Sequence, residues 1–336
     1  MKSDQADTLR RIMQSRNSSA SELTRENGVK KTGVPAAKVF TIASGKGGVG
    51  KTCLVANLGA ALARSGLRVL LIDGDLGLAN LDLLFGVRST VTLEEVLDGK
   101  AKIQDAVLGI EPNLWLIPAA AGLLELREAT TSETRSKLIE VFDTCPWEMD
   151  VILVDIGAGI QNNVLSLHSP NHESIVILTP EPTSLTDAYG LIKLLRRHVG
   201  VTEVSVIVNQ VTDGRDGQKT FSRLKDVAAR FVDVQMEYLG HCPRDEKFSQ
   251  SVMKRKILLD LEEGAISIPS LELLAKRIKA KCLGPRSEKV VMPLTTLPGK
   301  ANSEGRFSRR FKEEPGQAAP GNTTGFWRTL LGEVKV

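Results

Sequence analysis

A glycine-rich loop set between a strand and a helix restricts this 336-residue chain more than any other feature in it. Gly45-Lys46-Gly47-Gly48-Val49-Gly50-Lys51-Thr52 has the spacing G-x-x-x-x-G-K-[ST]. It follows the apolar run KVFTIAS and opens a helical pattern near Thr52, the context in which that spacing binds phosphate. Its glycines let backbone N–H groups close around the anion, and the helix N-terminus adds partial positive charge. Lys51 has the reach to serve β- and γ-phosphates, and the Thr52 hydroxyl can ligate Mg²⁺. Nucleotide binding follows from these residues alone.

The rest of the chain suits the sheet that such a loop needs. RVLLID, VILVDI, SIVILTP and VSVIVN are near-continuous apolar runs of strand length, as expected of strands buried on both faces. Helical patterns at Thr52–Ser65 and Thr183–His198 alternate with them. The alternation predicts a doubly wound, mostly parallel α/β sheet with right-handed crossovers. No internal repeat is present. Residues 15–37 are rich in Ser, Asn and Gly and read as a flexible linker, and 38–283 as the folded domain. From 284 to 336 Pro, Gly, Ser and charge dominate, so a largely disordered tail is expected.

Charge and cysteines exclude several classes. Residues 1–37 carry seven Lys/Arg against four Asp/Glu, and 284–336 carry nine against five. With a total of +4, the stretch between them is net acidic by three. A nucleic-acid-coating domain is expected to be basic in its folded part, which makes nucleic acid an unlikely partner. Cys53, Cys145, Cys242 and Cys282 form no C-x-x-C pair, so a zinc site or disulfide framework is not indicated. No apolar run reaches the roughly 18 residues of a membrane span, and the N-terminus lacks the apolar stretch of a signal peptide. A cytoplasmic protein is expected.

The loop's other lysine, Lys46, is not required of a phosphate loop in general. K-G-G-V-G-K-T resembles the deviant Walker A motif of the MinD/ParA ATPases, a branch of the SIMIBI class of phosphate-loop NTPases. The resemblance implies an ATP-sandwiched homodimer in which Lys46 reaches the partner's phosphates, and so hydrolysis that depends on dimerisation. RVLLIDGDLGLANLDLLFG resembles that family's first switch, which implies Asp73 on a water of the Mg²⁺ shell and Asp75 orienting the attacking water. VILVDIGAGI resembles the second switch, with Asp155 on the metal shell and the Gly157 N–H toward the γ-phosphate. Asn209 and Pro243-Arg244-Asp245 fall where the family places adenine contacts. Two departures stand out: Ile156 replaces the usual Thr or Ser after Asp155, and Cys53 stands where Thr, Ser or Asn is usual beside the α-phosphate. Both bear on the hydrolysis rate rather than on binding.

Within that family the chain resembles the flagellar-number regulators of the FlhG/FleN (YlxH) branch. PEPTSLTDAYGLIKLL and LGHCPRDEKFSQSV carry the likeness, together with D-Q-A-D-T-L-R at Asp4–Arg10. Residues 1–14 have the pattern of a short amphipathic helix, with Ala6, Leu9 and Met13 on one stripe and Asp4 and Arg10 at opposite ends. The resemblance implies that this helix stimulates an FlhF-type GTPase of the signal-recognition-particle class, with Gln5 presented to the GTPase site. A flagellar transcription activator or C-ring component is a further partner of that branch. In the tail, 325–334 would place Phe326, Trp327, Leu330 and Leu331 on one side of a short helix, a pattern suited to peripheral contact with the inner membrane at the cell pole. Two other readings stay open: a ParA-type DNA-partitioning ATPase, and a hydrolysis-deficient scaffold that binds nucleotide only to hold its shape.

Overall fold

Each strand predicted from an unbroken apolar run feeds two apolar layers at once. The computed structural model describes residues 37–75, 80–91, 95–96, 99–118, 148–159, 167–168, 172–261 and 264–283, all in the unit Ala36–Val336. In chain order it contains β1 (Lys38–Ser44), α1 (Lys51–Arg64), β2 (Val69–Gly74), α2 (Leu81–Leu84), α3 (Ile103–Ala106), β3 (Leu108–Glu111), β4 (Leu114–Ile117) and β5 (Val151–Ala158). There follow β6 (Glu173–Leu178), α4 (Pro182–Leu194), β7 (Glu203–Val211), α5 (Gly214–Phe231), β8 (Gln235–Pro243), α6 (Lys247–Met253) and α7 (Ile268–Leu283). Leu70, Ile152 and Val176 face one layer, while their neighbours Leu71, Leu153 and Ile177 face the other. Successive side chains of a strand point to opposite faces, so burial on both sides demands the unbroken apolar runs seen in the sequence.

The strands form one sheet in the order β3-β4-β2-β5-β1-β6-β7-β8. All neighbours run parallel except β3 and β4, which are antiparallel at one edge. Leu54, Leu58 and Leu62 recur every four residues on α1 and close one layer together with Leu271, Leu274 and Ile278 of α7. Leu191 and Ile192 of α4 and Phe221 and Leu224 of α5 close the other. Each such Leu or Ile contributes about 1.5–3 kcal/mol by leaving water.

The helix predicted over Thr183–His198 divides in two. The α-helix ends at Leu194, and Leu195–Val199 form a π-turn closed by Gly200 at φ 84. The wider turn keeps Leu195 in the core while Arg197 and His198 face solvent.

Where β6 passes β1, a histidine is sealed into the sheet. His168 Nδ1 shares a hydrogen bond with Thr41 Oγ1 at 2.9 Å and lies 3.4 Å from Ser174 Oγ. Burial, and then the neighbouring charge of His172, lowers its pKa from 6.5 to about 3. Burial also lowers that of His172, to about 4. The unfolded chain therefore takes up these protons first, so stability is complete above about pH 6.5 and is lost as pH falls toward 3. At pH 5 the loss from His168 alone is about 2 kcal/mol. His168→Gln should flatten the fall in the urea midpoint between pH 7 and pH 5, whereas equal falls in variant and native chain would contradict this.

Candidate nucleotide site

The loop between β1 and α1 can take its shape only because glycine stands at two crowded points. Gly50 caps α1 at φ +84, and a Cβ there would lie 2.6 Å from Asn209 Nδ2. At Gly45 a Cβ would lie 2.3 Å from the Asp187 carbonyl, so α4 packs against the loop backbone with no room for a side chain. Asn209, at the end of β7, donates from Nδ2 to the Val49 carbonyl at 2.7 Å, and Gln210 Nε2 donates to Gly48 O at 3.3 Å. Asn209 thus braces the phosphate loop from the neighbouring strand end. Its Oδ1 is buried without a hydrogen-bond partner, an acceptor suited to an exocyclic amine of a base.

Beneath the loop lies a buried charge pair. Lys51 Nζ donates to Asp155 Oδ1 at 2.5 Å, with Lys51 6% exposed and Asp155 fully buried. Burial raises the Asp155 carboxyl above the usual range; the Lys51 charge and hydrogen bonds from Lys51 and Thr52 pull it back, and the Asp75 charge adds to the rise. Asp155 Oδ2 has no partner. A buried carboxylate oxygen left open beside the Thr52 hydroxyl fits the hydrated Mg²⁺ that accompanies a nucleotide. Asp75 closes the other side: a Cβ on Gly157 would lie 3.4 Å from Asp75 Oδ1. The two predicted switches therefore meet at Asp75 and Gly157.

Asp73, expected to hold a water of the Mg²⁺ shell, also accepts from three backbone N–H groups. Its Oδ1 accepts from the Asp75 N–H at 3.2 Å, and its Oδ2 from Asn80 and Leu81 N–H at 2.9 and 3.0 Å. It holds both ends of the first switch. Burial, offset by these donors and reinforced by the Asp155 charge, raises its pKa to about 6.

The Lys46 ammonium is tied to the start of α4. Its Nζ donates to Glu181 Oε2 at 2.7 Å and to Thr183 Oγ1 at 3.0 Å at the start of α4, and its side chain is 38% exposed. Sequence reasoning quoted Glu181 and Thr183 without seeing them as Lys46's partners. The usable signal is that β6 leads into them and ligands gather at the C-terminal edge of parallel strands.

The segment Pro243-Arg244-Asp245 ends β8 beside Asn209, which pairs with Cys242 in the β7–β8 register. Asp245 accepts from the Lys247 and Ser267 N–H groups at 2.9 and 3.1 Å, Pro243 O accepts from Ser267 Oγ at 3.2 Å, and Arg244 N donates to Val211 O at 2.9 Å. These bonds fix the segment as a rigid turn. Ile156 lies fully buried in the apolar layer with Val154 and Val176. Cys53 is a part-buried thiol whose pKa is raised by burial and then by the Asp155 charge, so that position offers its backbone rather than a charge. The predicted partner residues Asp4, Gln5, Ala6, Leu9, Arg10 and Met13 and the tail residues Phe326, Trp327, Leu330 and Leu331 lie outside the described residues.

Comparison with known proteins gives the site a context. Residues 40–259 match the CobQ/CobB/MinD/ParA nucleotide-binding domain model. The chain is 38% identical to the antiactivator FleN of Pseudomonas aeruginosa, over 66% of this chain and 79% of that one. It is 33% identical to the flagellum site-determining protein YlxH of Helicobacter pylori, over 73% of this chain and 82% of that one. Among solved structures, the septum site-determining protein MinD of Pyrococcus horikoshii in complex with Mg-ADP superimposes with a TM-score of 0.55 at 28% identity, over 72% of this chain and 96% of that one.

Proposed function

The chain belongs to the CobQ/CobB/MinD/ParA nucleotide-binding family, and from that premise we propose that it is an ATP-driven dimer switch that regulates flagellar number and placement. The observation that carries the reading is the division of labour between the loop's two lysines. Lys51 is buried under its own phosphate cradle on Asp155, while Lys46 stands outside on Glu181 and Thr183. A lysine bonded outside its own loop supports a role at another chain's site.

In this mechanism the N–H groups of Gly45–Thr52 take the phosphates of ATP, and Asn209, with Pro243-Arg244-Asp245, takes the base. Lys51 moves from Asp155 to the β- and γ-phosphates. Thr52, Asp155 and Asp73 would hold Mg²⁺ and its water, a cation that neutralises charge developing on the phosphate oxygens. Lys46 leaves Glu181 and reaches the partner's phosphates, with the logic of an arginine finger. Asp75 orients the water that attacks the γ-phosphorus, giving ADP and phosphate and letting the dimer open. Ile156 packs in the apolar layer and supplies no hydroxyl to the site, so a turnover assay separates the switch from an inert scaffold.

The flagellar role rests on the likeness to FleN and YlxH and on the N-terminal heptapeptide. Residues 1–14 would dock on an FlhF-type GTPase with Gln5 at its site, and 325–334 would touch the inner membrane near the pole. A flagellar transcription activator or C-ring component is a further proposed partner. A peptide of residues 1–20 should accelerate GTP turnover by the FlhF-type GTPase of the same organism, and a Gln5→Ala peptide should not. Equal rates with and without the native peptide would remove the GTPase from the proposal. They would leave the ATP switch to its own test.

A further inference from the structure

Five consecutive residues at the end of α6 serve neither the nucleotide site nor the core. Val252-Met253-Lys254-Arg255-Lys256 are all exposed; Met253, at 85%, is the most exposed large apolar side chain among the described residues. A single exposed methionine is ordinary. One that stands beside an exposed valine and leads into three consecutive exposed cations is a patch.

The segment is presented rather than loose. Ser251, just before it, is buried and donates from Oγ to the Phe248 carbonyl at 2.8 Å. Ile257 and Leu258, just after it, are buried, and the Leu259 N–H donates to Asn57 Oδ1 on α1 at 3.2 Å. Between these anchors the N–H groups of Lys254, Arg255 and Lys256 donate back to the carbonyls of Gln250, Val252 and Ser251. Arg255 completes the turn at φ 50, the left-handed conformation that glycine usually supplies after a helix. A strained cation with an exposed side chain points to a use beyond packing.

We propose that this turn docks on an anionic lipid surface. The domain that bears it is net acidic by three over 38–283, so the three cations are a local concentration against the trend of the domain. Cations beside an anionic leaflet and an apolar tip in the headgroup boundary use every exposed side chain of the turn. A nucleic acid would use the cations alone, and the turn offers no aromatic ring for a base to stack on. The turn and 325–334 are separate segments of the sequence, and the proposal holds whether or not the latter touches a membrane. Because α6 begins two residues after Asp245, the turn is one short helix away from the proposed base contacts.

The test is co-sedimentation of the full chain with phosphatidylcholine vesicles, with and without phosphatidylglycerol, in MgATP and without nucleotide. A Trp327→Ser background keeps the tail from masking the result. In that background, Met253→Ser with Lys254→Ser, Arg255→Gly and Lys256→Ser should weaken binding to the anionic vesicles by about a hundredfold. The glycine relieves the backbone, so the variant should fold, and its ATP binding reports that it has. Binding unchanged by the substitutions, or no preference of the unsubstituted turn for anionic vesicles in either nucleotide state, would overturn the proposal. So would a variant that keeps its vesicle binding but loses retention of a DNA duplex, which would reassign the turn to nucleic acid. Loss of the ATP dependence alone would count against the switch and leave the docking turn in place.

Discussion

Lys46→Ala should bind ATP as the native chain does and hydrolyse it at least about 10³-fold more slowly, the scale of losing a finger residue in phosphoryl transfer. The expectation follows from where Lys46 sits. Its ion pair with Glu181 is exposed on both sides, at 38% and 60%, and such pairs contribute about 0–1 kcal/mol. Removing it should leave the fold and its own phosphate cradle intact while depriving the partner's. Single-turnover hydrolysis beside equilibrium ATP binding checks this. Tight binding with native turnover would show that Lys46 does not act in trans.

Lys51→Ala should fail in the opposite way. It leaves Asp155 fully buried without its cation, and breaking one side of a buried ion pair costs about 3 kcal/mol or more. It also removes the charge proposed for the β- and γ-phosphates, so ATP binding should be lost together with stability. The deficit has a pH signature. The Asp155 carboxyl is already raised by burial, and without Lys51 it rises further. Protonation then relieves the unpaired charge, so the stability gap between variant and native chain should narrow as pH falls. Urea midpoints at pH 7.5 and pH 5.5 would show it, and a gap that is constant or wider in acid would contradict the pairing.

How far the sequence could be read depended on whether a residue's role is local. The strand-loop-helix unit of Lys38–Arg64 was legible because its signals lie within one stretch: an apolar run, glycines at fixed offsets, then a leucine stripe. Asp75 and Asp155 were legible through the segments resembling the two switches. Their convergence at Gly157 needed β2 and β5 to be neighbours, as the Asp73–Asp155 register makes them. The Lys46 contact with Glu181 spans 135 positions and exists only because β6 lies beside β1, which no local pattern encodes. Asn209 illustrates the same limit. Its expected role at the base came from the resemblance alone, and its bond to the Val49 carbonyl depends on how closely the end of β7 approaches the loop. The edge strands were also missed. β3 has four residues, and β8 begins with alternating exposed and half-buried positions before turning inward at Leu239, so neither forms the continuous apolar run that marks a strand covered on both faces. The antiparallel pairing of β3 with β4 likewise departs from the parallel pattern that alternating strands and helices imply.

The most direct test of the dimer switch is sedimentation velocity of the Asp75→Ala variant in MgATP and in MgADP. In the proposed mechanism Asp75 directs the attacking water, so the variant should trap the state before hydrolysis: a dimer in MgATP and a monomer in MgADP, with Lys46→Ala added to it weakening the dimer. A monomer in both nucleotides, or a dimer indifferent to which one is present, would contradict the ATP-driven switch.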